Sequence, residues 1–309
     1  MLAILWFHTE MYYVGNDVTP YALYVGDVLA VFFFISGYLF YQDHPIRVRH
    51  KLYAIFRRLV IPYFVFTALL ALPKAYAHQS FEGFGSIVIN IVSGDASWFV
   101  SALIVAELLF VAALYFFQGR KLLLIALSIL MLAFSAWAGN ALSPWHYEQN
   151  LWHLNEATLG FFLMTVGYFF HCHEGAINRY LHNPIGLTFL VVLCVVSKYI
   201  ILRTNAQLVF GPIIVTNYLL FVADLLLVIL LLVELFRRLP KVAFIEWVGR
   251  HSIVYYFLAG AVPFAVSSGL HRCGFNDCGY PSIACAFGLV CLLSTLLVWA
   301  VYRYTRIVQ

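Results

Sequence analysis

Charge is what this chain has least of. Only 10% of its 309 residues are Asp, Glu, Lys or Arg, whereas 63% are hydrophobic and the mean hydropathy is +0.89. Soluble domains carry about 25% charged residues. The deficit runs the whole length, which excludes one anchor attached to a soluble domain. Segments of about ten residues with alternating polarity are also missing, which excludes a transmembrane β-barrel. The first apolar stretch lacks a basic flank and a small-residue cleavage site, so no cleavable signal peptide is expected. No stretch reads as a linker between soluble domains. The lack of two similar halves weighs against many transporter folds, which are built from repeats.

What remains is near-continuous apolar sequence. A hydrocarbon core about 30 Å thick needs roughly 20 helical residues. On that measure ten spans are expected, at 1–14, 24–41, 59–73, 98–117, 121–139, 159–172, 184–203, 213–236, 251–270 and 283–302. The third and sixth are short and should extend into their flanks. The fold expected is all-α, a polytopic integral membrane protein with residues 1–309 as one membrane-embedded domain.

Lysine and arginine set the orientation. Arg47, Arg49, Lys51, Arg57, Arg58, Arg120, Lys121, Arg179, Arg237, Arg238, Lys241, Arg250, Arg303 and Arg306 fall on alternate connections of one side, 14 of the 18 basic residues. Lys74, Lys198, Arg203 and Arg272 fall on the other. By the positive-inside rule both termini are cytoplasmic.

The longest external connections are about 74–97 and 140–158. The second holds Trp145, His146, Trp152, His153 and Glu156 and no Lys or Arg. Such aromatics serve either as interfacial anchors or as a platform on which a sugar ring stacks. Cys194, Cys285 and Cys291 read as small core residues. Cys273 and Cys278 flank GFND in an external loop, where a disulfide is plausible. The HCHE run at 171–174 resembles a metal site, but its two histidines are two residues apart and off one helical face.

Ionisable residues inside spans are costly and mark function by default. Here they are His8, Glu10, Asp27, Glu107, Asp224 and Glu234, the last near enough to a helix end to snorkel. The bland alternative for each is a helix–helix hydrogen bond that fixes packing. His8 and Glu10 lie about 200° apart on a helix, so they are no adjacent pair, whereas His8 shares its face with Tyr12. A carboxylate orienting His8 should come from another helix, with Asp27 and Glu107 the candidates by depth. A neutral imidazole there suits general-base work on a hydroxyl.

Five segments together resemble the acyltransferase 3 family, membrane-bound acyltransferases that include O-acetyltransferases of bacterial surface polysaccharides. They are ILWFH at 4–8, FFFISGYLF at 32–40, RRLVIPY at 57–63, SWFVSALIVAELLF at 97–110 and VGRHSIVYYFLAGAV at 248–262. The resemblance implies ten transmembrane helices, cytoplasmic acyl-CoA as donor and an acceptor modified at the outer face. It makes His8 the essential histidine of the first helix, and it pairs Ser36 with Gly37 in the second. Arg57 and Arg58 match part of a basic motif, with Lys51 further back, and Tyr256 matches a tyrosine of the ninth helix. The histidine many members carry three positions later is Ala259 here. The basic residue expected eleven positions before His8 would precede Met1. Fourteen residues rise only about 21 Å, so a truncated chain or a misassigned start is expected.

The resulting expectation is a membrane O-acyltransferase of the cell inner membrane. It would move an acyl group, acetyl above all, from acetyl-CoA to a hydroxyl of a carbohydrate or lipid-linked glycan. His8 would act as base or as nucleophile, with Glu107 or Asp27 orienting it and Tyr12 or Tyr256 donating to the oxyanion. Guanidinium groups suit the phosphates of coenzyme A, and Ser36–Gly37 would shape a narrow acyl channel. Two alternatives remain: a transporter or flippase using the same charges, and a catalytically silent relative. No tightly bound cofactor, metal or nucleic-acid partner is expected.

Overall fold

The computed structural model describes residues 1–42, 45–77, 83–142 and 150–305, with side chains omitted at 74–77 and 140–142. Of the residues singled out above, Trp145, His146, Arg306 and the Lys74 side chain lie outside the described ones. The described residues are 83% helical, as an all-α membrane protein should be. Its helices are α1 (Leu2–Tyr13), α2 (Val25–Phe40), α3 (Val48–Ile55), α4 (Ile61–Ala77), α5 (Phe84–Ser93), α6 (Trp98–Phe117) and α7 (Lys121–Leu142). Then come α8 (Leu154–Cys172), α9 (Glu174–Leu181), α10 (Pro184–Thr204), α11 (Tyr218–Arg238), α12 (Ala243–Arg250), α13 (Ser252–Arg272) and α14 (Tyr280–Tyr304).

Each of the ten expected spans coincides with a helix, and among the described residues seven helical stretches are long and apolar enough to cross a membrane. The third runs Val48–Pro73 and includes a π turn at Phe56–Val60, so it does extend well before residue 59. The sixth also starts earlier, at Leu154. Leu122 and Leu219 are 81% and 80% exposed, which suits a lipid surface rather than water.

Local chemistry explains several boundaries. Asn183 caps α10 by accepting from the Ile185 amide, with Pro184 in the first turn, where its missing N–H costs nothing. Asn217 caps α11 in the same way through the Leu220 amide. The eighth span therefore starts at Tyr218 rather than 213. The residues before it form a short antiparallel hairpin, β1 (Leu208–Val209) with β2 (Ile214–Val215). Residues 74–97, expected as a connection, contain the apolar helix α5.

The chain forms two compact units. One comprises Met1–Tyr21, Phe56–Ser97 and Pro240–Gln309; the other comprises Ala22–Ile55 and Trp98–Leu239. In the first, α1 packs on α13 and α14, and α13 on α4. In the second, α8 packs against α2, α6 and α7, while α11 packs on α2 and α10. Glycines set the α2–α8 distance. A Cβ on Gly37 would lie 1.9 Å from the Met164 carbonyl oxygen, and one on Gly167 would lie 2.0 Å from that of Phe34. Backbones approach this closely only where the side chain is a hydrogen.

Candidate active site

In the first unit, His8 is half-buried on α1. The rings of Tyr12 and His8 are stacked with centroids 6.3 Å apart, and Phe7 meets the imidazole edge-on at 5.4 Å. Tyr12 packs in turn on Phe264 of α13. Tyr256 is half-buried on the same helix, within electrostatic reach of the Tyr63 hydroxyl. Ala259 is buried apolar packing.

The far faces of α1 are pinned. Glu10 is fully buried and accepts from Trp6 Nε1 at 2.9 Å and from Thr19 Oγ1 at 2.8 Å. The Trp6 bond lies within α1 and the Thr19 bond ties α1 to the turn that follows it, which answers why a carboxylate stands two residues from His8. Tyr13 donates to the Phe275 carbonyl at 3.3 Å, and His271 Nε2 lies 3.0 Å from the Tyr13 carbonyl.

In the second unit, Ser36 donates to Glu107 Oε1 in a short hydrogen bond. These residues stand 71 positions apart, and the close α2–α8 crossing at Gly37 sits beside them. The third carboxylate, Asp27, lies against Lys198 of α10. Lys198 Nζ is 2.5 Å from Asp27 Oδ2, 2.6 Å from Asp224 Oδ2 and 3.2 Å from the Ala22 carbonyl. Ser197 adds a 2.7 Å bond to Asp224 Oδ1. All three ammonium donors are thus used. Sequence reasoning counted Lys198 as a loop-side charge; the signal available was its place six residues inside a helix end.

A second polar cluster joins the other ends of the same helices. The Tyr38 hydroxyl on α2 donates to Glu174 Oε2 at 2.9 Å, and Arg237 on α11 donates to Glu174 Oε1 and Asn178 Oδ1. His171 stacks on Tyr38 with centroids 4.1 Å apart. HCHE is therefore split between helix packing and this network, and no group of three metal-ligating side chains is gathered among the described residues. Glu234 does not snorkel. It is fully buried and bound by Arg238 Nε at 2.8 Å and His182 Nδ1 at 3.2 Å.

The expected coenzyme contacts fall in both units. Arg57 and Arg58 are exposed on the π turn of the first, and neither forms an ion pair among the described residues. Such turns are rare and recur at functional sites. Lys51 belongs to the second, where its ammonium lies 4.3 Å from the Phe40 ring centroid and 3.4 Å from the Leu39 carbonyl, at the C-terminal end of α2. That position favours a cation by itself.

The loop residues His153 and Glu156 are fully buried, with Nδ1 and Oε2 3.4 Å apart. Burial removes both from an exposed sugar platform. Cys273 and Cys278 are free and exposed, with no disulfide between them. Asp277 lies between them, and the Ser282 hydroxyl of α14 and then the Gly279 amide hold its carboxyl below its usual range.

A family model described as an acyltransferase domain matches residues 1–303. No curated protein and no solved structure gives a match to the chain.

Proposed function

Since this chain belongs to the acyltransferase 3 family and is a polytopic membrane acyltransferase, we propose that it transfers an acetyl group from cytoplasmic acetyl-CoA to a glycan hydroxyl. The reading includes ten spans in the inner membrane with both termini cytoplasmic. His8 is the general base. It takes the proton from the acceptor hydroxyl as that oxygen attacks the thioester carbonyl. The C–S bond breaks, and the imidazolium returns the proton to the thiolate of coenzyme A. Tyr12 and Tyr256 are the proposed donors to the oxyanion. In the second unit Glu107, held by Ser36, is a proposed functional carboxylate. Arg57 and Arg58 in the first unit, and separately Lys51 in the second, are proposed phosphate-binding cations for the donor.

The observation that carries this reading is a family match over 1–303 to a chain whose α1 leaves a half-buried imidazole beside a phenol. The other faces of that helix are pinned by Glu10 and Tyr13. Membranes supplied with radiolabelled acetyl-CoA and cell-surface glycan test it. Label should enter the glycan with the wild-type chain and not with His8→Ala. Glycan movement across the membrane without acetyl-CoA would favour a flippase instead.

A further inference from the structure

Helix α2 is bound to α11 at both ends through a charged intermediary. Near its start, Asp27 meets Lys198, which also holds Asp224 of α11. Near its finish, Tyr38 meets Glu174, which also holds Arg237 of α11. Asp27 and Tyr38 are about 16 Å apart along α2, and Asp224 and Arg237 about 20 Å along α11. The two helices run in the same direction, so the clamps fix the height of one against the other.

Ser36 lies between these clamps, where it donates to Glu107. The Lys198 clamp is the more demanding of the two. Asp27 is 3% and Asp224 2% exposed, and Lys198 reaches them from a third helix. Apolar contacts along α2 and α11 resist separation but little resist sliding. Charge-assisted bonds with fixed partners resist both.

We propose that Lys198 is a positioning residue for acyl transfer, holding α2 at the height where Ser36 meets Glu107. The inference rests on the reading of Ser36 and Glu107 as a pair that acyl transfer requires. It assigns no contact between Lys198 and either substrate.

A double-mutant cycle with Ser36→Ala tests it, using the full chain in membranes with radiolabelled acetyl-CoA and cell-surface glycan. Lys198→Met should lower kcat about tenfold while the KM for acetyl-CoA stays within about threefold. Lys198→Arg, which keeps the charge, should recover most of the rate. In the Ser36→Ala background, Lys198→Met should cost less than about threefold more, since the contact it protects is already gone. A full tenfold cost in that background would overturn the proposal. A fully active Ser36→Ala would instead remove this pair from the site, and the proposal with it, while leaving His8 untouched.

If Lys198→Met does not accumulate, the neutral set Lys198→Met, Asp27→Asn and Asp224→Asn leaves no uncompensated charge. Its kcat should still fall about tenfold. A wild-type kcat there would refute the positioning role.

Discussion

Replacing Gly37 with alanine tests the closest approach in the fold. The added methyl would stand 1.9 Å from the Met164 carbonyl oxygen and 2.4 Å from its Cα, where ordinary contact begins at 3.4 Å. The clash is with main chain, so no rotamer change relieves it, and trimming Met164 to alanine should not rescue the variant. Helices α2 and α8 must part by about 1.5 Å, an overpacking strain of about 1–3 kcal/mol. That shift displaces Ser36, the neighbour of Gly37 on α2, relative to Glu107 of α6, so their hydrogen bond should weaken. Thermal unfolding in detergent and acyl transfer in membranes read the two effects. The melting temperature should fall, and the rate should drop about tenfold to a hundredfold. Wild-type melting and rate would refute the packing argument.

Four other outcomes follow from the same geometry. Gly167→Ala should reproduce the Gly37→Ala phenotype, because its Cβ meets the Phe34 carbonyl oxygen of the same crossing at 2.0 Å; an unperturbed melting temperature would contradict that. Lys198→Met should destabilise by about 3–5 kcal/mol, leaving two carboxylates buried together, whereas Asp224→Asn leaves one neutralised pair and should cost less in denaturant unfolding. The Asp277 carboxylate is held below its usual range, so its cap on the loop before α14 is present above the ordinary carboxylate pKa and is lost as pH falls through the depressed value; hydrogen-exchange protection at 277–283, taken relative to the intrinsic rate at each pH, should fall on acidification and no longer depend on that titration in Asp277→Asn. Cys273 and Cys278 should react with an impermeant maleimide added to intact cells without reductant; reaction from the cytoplasmic side alone would invert the proposed orientation.

The helices were legible because long apolar runs leave few other structures possible in a bilayer. The pairing of Ser36 with Glu107 joins two separately quoted family segments, and Gly37 stands where α2 and α8 approach most closely. The hairpin at 208–215 was not legible, since LVFGPIIV is as apolar as the helices around it. His153 and Glu156 carry the polarity of loop surface, but the chain folds over them, and a local pattern does not show such burial. The Lys198 cluster was hidden for a simpler reason. Its partners are 171 and 26 positions away, and a one-dimensional charge count places a lysine inside or outside without seeing its carboxylates. Glu10 illustrates the reverse: helical geometry separated it from His8, and the fold gave it Trp6 and Thr19.

Acyl transfer by His8→Ala in membranes, measured as radiolabel passing from acetyl-CoA to cell-surface glycan, tests the central claim most directly. The account predicts loss of transfer while the variant accumulates and melts like the wild type, because His8 is half-buried and Glu10 and Tyr13 still hold α1. Transfer at the wild-type rate would contradict it.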